Sequence, residues 1–245
     1  APAPHAVLEG RFATSLVCAQ CHSSSARAMA LRDAKGRSVA PFDLWRASMM
    51  ANAARDPLWR AVVAAEMAAT PAKAAEIQAE CMRCHAPMGS HEADRAGDPI
   101  TLALLDQDSP RGQLARDGVS CTVCHQIPPT ALGNDSGHLE IGDDRRIYGP
   151  HPDPFAMPMR RHTGYTPTFA THMRDSRLCA TCHTLHTETL APDGAPTGHR
   201  LPEQTPYLEW RNSVFDTERA EPGPEATSCQ GCHMPFTDQD GDLIE

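Results

Sequence analysis

The residues of this chain best equipped for chemistry are its cysteines and histidines, ten Cys and thirteen His in 245 residues. Every Cys falls in one of five copies of a single pattern, C-x-x-C-H. The copies are Cys18, Cys21 and His22; Cys81, Cys84 and His85; Cys121, Cys124 and His125; Cys179, Cys182 and His183; and Cys229, Cys232 and His233. Two thiols three positions apart on a turn of helix share a side and can reach the two vinyl groups on one edge of a haem. The next imidazole then lies beneath the ring and offers a nitrogen to iron. This is the spacing of c-type haem attachment. It implies five covalent haem c groups with their iron, the ten Cys as attachment points and the five motif His as proximal ligands. A disulfide framework gives no reason for a His after every second Cys. Structural zinc pairs one C-x-x-C with another, or with a spaced His pair, and no such ligand set stands beside these repeats. A thioredoxin-like redox pair needs one C-x-x-C near a βαβ pattern, and neither condition is met.

The sixth ligand on each iron separates a carrier from an enzyme, because a six-coordinate haem has no room for substrate. Eight His remain: His5, His91, His138, His151, His162, His172, His186 and His199. His172 lies seven residues before Cys179, and His186 three after His183. His162 sits in a long Pro-rich stretch, and His151 stands between Pro150 and Pro152 on a rigid turn. These four are the distal-ligand candidates, against a role as surface or propionate-bonded His. His138 and His199, in Gly-rich turns, rank below them, and His5 and His91 lower still, since a His in a mobile segment is usually solvated. Met adds further candidates and raises the haem potential relative to His.

The five motifs resemble those of the multihaem c-type cytochromes, from residue 18 to residue 233. Stretches such as 43–48, Ser120-Cys121 and Cys232-His233-Met234-Pro235 look like those of tetrahaem and pentahaem electron carriers. The resemblance also bears on Met50. Related cytochromes commonly draw a distal His from a helix reading Trp-x-x-Ser-x-His-Ala, and here Trp45 and Ser48 are followed by Met50 and Ala51. Met50 is therefore a candidate distal ligand, the alternative being that it fills a gap against a porphyrin face. Pentahaem nitrite reductases attach their catalytic haem through C-x-x-C-K, a motif missing from this sequence.

The remaining composition fits this reading. Hydrophobic residues make up 40% and aromatics 5%, with 22 Pro and 16 Gly, which would build only a thin core. Haems would supply the large apolar surfaces instead, and covalent attachment would offset the thin core as a metal or disulfide does. The expected fold is mainly α with extensive irregular loops and little sheet, one domain over 1–245, haems forming the core, and no conventional hydrophobic core. Motif starts are 63, 40, 58 and 50 residues apart, too uneven for a strict repeat. Cap and Pro signals predict helices over 43–53 with Asp43 as N-cap, 57–69, 72–84, 110–117, 175–183 and 206–215, with 126–170 mostly loop.

The formal charge is −9, which disfavours nucleic acid, and no apolar run approaches the ~20 residues of a membrane helix. Twenty of the 22 basic residues are Arg, so Arg145, Arg146, Arg160, Arg161, Arg174 and Arg177 are candidates for propionate pairing, beside a general bias toward Arg. Asp238, Asp240 and Asp242 read as an acidic tail rather than a calcium loop. The first residue is Ala rather than Met, as expected after removal of an export signal, and the resemblance implies a periplasmic or extracellular location. Two functions follow. The first is an electron carrier with mostly bis-His or His/Met haems, meeting redox partner proteins as a shuttle, a subunit of a larger complex, a homo-oligomer or a filament unit. The second is a reductase or oxidase of a small nitrogen or sulfur compound at one open haem, with Tyr148, Tyr165 and Tyr207 the residues to inspect.

Overall fold

The computed structural model describes residues 3–191, 193–234 and 237; the acidic tail lies outside them. The fold is mainly α, with three small two-stranded sheets and long irregular connections. Helix Pro57–Ala69 forms because Asp56 caps it, accepting from the Leu58 amide at 2.9 Å, and Pro57 presets the first turn. Thr70 and Pro71 end it. Helix Ala74–His85 follows and carries the second motif on its last turns.

The helix expected over 43–53 is two short ones, Pro41–Trp45 and Met49–Asn52. Ser48 caps the second by accepting from Ala51 N, which stops the first from running through. Asp43 is not a cap. Its carboxylate accepts from Ser24 N at 3.0 Å, Ser24 Oγ at 2.6 Å and Ser38 Oγ at 2.7 Å, tying the segment after the first motif to this helix. Those donors hold its pKa below the usual carboxylate value.

Residues 126–170 are more regular than a loop. Strand Arg146–Gly149 pairs in parallel with Thr166–Phe169, and helix Ala156–Thr163 packs beside the second strand. A second unforeseen feature is the antiparallel hairpin of Leu185–Leu190 and Pro196–Gln204, whose second strand is exposed throughout. Helix Pro87–Ala96, also unforeseen, crosses Pro110–Arg116 closely. A Cβ on Gly89 would lie 2.5 Å from Ala115 Cβ, so only glycine allows that approach.

A conventional core does exist, in two small pieces, contrary to the sequence expectation. One gathers Trp59, Val63, Met82, Leu104, Leu105 and Ala115; the other Phe12, Met88, Leu114, Val123, Ile127 and Leu178. Motif residues Met82 and Val123 sit inside them, so the cores anchor the motifs. They leave much uncovered. The polypeptide exposes 13768 Å² against about 10,700 Å² for a compact chain of 26.5 kDa. Met49, Leu58 and Phe155 each exceed 70% exposure. A surface that large and apolar fits a chain built to wrap flat hydrophobic groups.

Candidate functional site

Each of the five motifs lies on a helical turn: Ser15–His22, Ala74–His85, Cys121–Cys124 with His125 next, Arg177–His183 and Cys229–His233. The first and second Cys therefore share a face, one turn apart, as attachment to one haem edge requires. All ten thiols are free.

Distant interactions hold these short helices in place. Asp117 accepts from Ser15 N and Ser15 Oγ, both at 2.7 Å, at the start of the first motif helix. Ser176 Oγ accepts from Cys229 N at 3.0 Å, and Gln230 Nε2 donates to Asp175 O at 2.8 Å, docking the fifth motif on the fourth. Gly137 donates to Thr181 O at 2.7 Å and lies against Arg83 and Cys84, clamping the second motif to the fourth.

The motifs meet through their thiols. Cys18 and Cys121, Cys179 and Cys229, and Cys84 and Cys182 lie close enough for each thiol to shift the titration of its neighbour. Cys124 lies close enough to act electrostatically on Cys179 and Cys182. The histidines follow suit, His22 acting on His125 and His233 on His183. Read as disulfides, these contacts would strand Cys21, Cys81, Cys124 and Cys232; one haem on each motif would use all ten.

The motif histidines have the chemistry of iron ligands. His125 Nδ1 donates to Tyr148 O at 2.6 Å and His85 Nδ1 to Ala53 O at 3.1 Å, which leaves the lone pair on Nε2. Burial lowers the pKa of His85, His125 and His183, favouring the neutral imidazole that binds metal. Trp59 stacks on His85, ring centroids 4.4 Å apart and planes 4° off parallel, fixing that ring further. Among the described residues no three His, Cys, Asp or Glu converge on one point. The residues present fit haem.

Residues 17–126, which carry the first three motifs, match the family described as cytochrome c554 and c-prime. The match, over somewhat less than half of the chain, supports a multihaem c-type cytochrome. It likewise supports a c-type haem electron-transfer role. Among the described residues no helix is long and apolar enough to cross a membrane. No curated protein and no solved structure matches the chain.

The candidate distal ligands are placed unevenly. His162, exposed on the last turn of Ala156–Thr163, lies beside the first motif, its Nε2 2.6 Å from Gln20 Oε1. His172 is buried beside the third motif rather than the fourth, its Nε2 donating to Ile127 O at 3.0 Å and its ring edge-on to Tyr148. His186 is half-buried with Nδ1 3.7 Å from Asp135, and His151 is exposed. Met50 is half-buried, and its carbonyl accepts Val119 N at 3.0 Å just before the third motif. Met88 is fully buried, its sulfur accepting from Thr122 Oγ1 at 3.2 Å.

One His was missed. His91 Nδ1 is buried without a hydrogen-bond partner, its ring edge-on to Phe12 at 5.2 Å, and burial lowers its pKa. The contact comes from a residue 79 positions away, so no local signal marked it. Tyr165 donates to Arg11 O and Tyr207 to Glu218, which engages both hydroxyls structurally. Arg146 and Arg177 pair with Asp144 and Asp175, and Arg145 donates to Thr163 O and Gly10 O, so these three spend their guanidinium groups on the protein.

Proposed function

We propose that this cytochrome is a pentahaem electron conduit, with one haem c on each motif and both axial positions of each iron filled. Haem iron supplies a one-electron change between its ferrous and ferric states. The chain supplies the order. Thiol contacts join motif one to three, two to four and four to five, and the proximity of Cys124 to Cys179 and Cys182 joins three to four. The motifs thus form a path one–three–four–five with motif two entering at four. No motif stands alone, and this connectivity is the observation that carries the reading. Thioether-linked cysteines in contact bring neighbouring cofactor edges together, which electron transfer needs and an isolated catalytic haem does not.

His22, His85, His125, His183 and His233 serve as proximal ligands. The five distal ligands are drawn from Met50, His151, His162, His172, His186 and His91, whose Nδ1 is buried without a hydrogen-bond partner, 3.8 Å from Glu92 Oε1. Chain-terminal exposure of motif five, where Cys232 and His233 are exposed, offers a contact point for redox partner proteins outside the cytoplasmic membrane.

The test is His91→Ala in the holoprotein. One haem is expected to change from low to high spin and to bind carbon monoxide when reduced. Unchanged spin state and no carbon monoxide binding would remove His91 from the ligand set.

A further inference from the structure

Behind the N-terminal segment lies a cavity of about 270 Å³ lined by His5, Thr14, Arg55, Gln113, Arg116 and Asp117. Arg116 is 7% exposed. Its Nη1 donates to Leu105 O at 2.8 Å and to Gln107 O at 2.7 Å, while Nε and Nη2 are buried without a partner. The choice of orphaned atoms matters. Nε–H and Nη2–H share one edge of a guanidinium and point the same way, a fork matched to the two oxygens of a carboxylate. Buried charged donors are rarely left unmade, so this edge calls for an acceptor.

The neighbouring acids do not fill it. Asp117 is spent on Ser15 N and Ser15 Oγ. Asp108 accepts from Gln113 Nε2 at 3.4 Å, and Asp106 pairs with Arg60 at 3.6 Å. Both act on Arg116 only through their charge. Gln113 is used at both ends by the N-terminal strap, accepting from His5 N at 3.1 Å and donating to Ala3 O at 3.0 Å. Arg55 adds a second positive charge that acts on both Arg116 and Asp117. The cavity thus holds two guanidinium groups against one carboxylate that is already bonded.

We propose that this cavity is a carboxylate-binding site, the ligand held side-on by Nε and Nη2 of Arg116 with Arg55 as the second cation. Two sources share that chemistry. One is a propionate of a covalently held haem, which rests on the five-haem reading; the other is a small free carboxylate, which does not.

Calorimetric titration of the holoprotein with acetate, in a carboxylate-free buffer, separates them when run beside a spectroelectrochemical titration of the haems. A free-ligand site gives 1:1 acetate binding that weakens at least tenfold in Arg116→Gln and in Arg55→Gln. A haem carboxylate blocks acetate, and both variants then lower the midpoint potential of the same single haem, since a cation favouring the reduced state is lost. No acetate binding together with unmoved potentials overturns the proposal. Arg55 is exposed and outside the cores, so Arg55→Gln keeps the test readable if Arg116→Gln does not fold. A haem count below five would undo the pentahaem reading and leave the acetate arm standing.

Discussion

Replacing Gly137 with Ala should damage the junction between the second and fourth motifs in a measurable way. Gly137 has φ +71°, and a Cβ there would lie 2.8 Å from Arg83 Cβ and 3.1 Å from Cys84 Sγ. The left-handed backbone costs an L-residue about 1–2 kcal/mol. Forcing a methyl into a packed contact adds about 1–3 kcal/mol, because Cys84 is fixed by its motif and cannot swing aside. The expected loss is therefore about 2–5 kcal/mol, a fall in Tm of about 4–20 °C for a chain of this size. Gly133 supplies the control: its φ is +88°, but a Cβ there would meet nothing within 4 Å. Gly133→Ala should show the backbone cost alone, about 1–2 kcal/mol. Thermal unfolding of the two holoproteins, followed by far-ultraviolet circular dichroism, makes the comparison. If Gly137→Ala melts together with Gly133→Ala, the steric contact at the junction does not exist and the motif two–four link loses its support.

Two other perturbations have signs set by the structure. Asp43 has its pKa held down by Ser24 and Ser38, so its contribution to stability is complete above the ordinary carboxylate value near 4 and is lost as pH falls below it. Asp43→Asn should cost about 1 kcal/mol at pH 7 after solvent screening. Its stability should then change less than that of the wild type between pH 5 and 2, as urea titrations at a series of pH values would read; parallel profiles would contradict the assignment. Trp59 is 8% exposed, and its Nε1 is buried without a partner. Trp59→Ala should cost about 3–5 kcal/mol through lost packing on His85 and Val63. Trp59→Phe should cost much less, since it discards an unbonded donor, and denaturant midpoints that rank the two the other way would refute this.

The helical turns that carry the five motifs were legible in the sequence because C-x-x-C-H is a local pattern whose geometry needs only one turn of helix. Helix 57–69 was legible for the same reason, its Asp56 cap, Pro57 start and Pro71 stop all lying within the segment. What was missed depends on partners far along the chain. Strand 146–149 is made by its pairing with 166–169, and Pro-rich surroundings hid both. Pro158 sits in the first turn of helix 156–163, where a missing amide costs little, so it did not break the helix as read. His91 looked like a solvated surface residue until Phe12 covered it. The order of the motifs in space was likewise invisible, because their starts lie 63, 40, 58 and 50 residues apart and meet only through long-range packing. Composition did expose the thin core, but Ala- and Met-rich helices still assemble two small ones around Trp59 and Phe12.

The most direct test of the conduit is carbon monoxide titration of the fully reduced holoprotein, with bound carbon monoxide counted against total haem from the pyridine haemochrome. Five haems per chain with none responding to carbon monoxide is the predicted result. Fewer than five haems, or one haem in five that binds carbon monoxide, would contradict a closed pentahaem path, and the second outcome would mark a site for substrate.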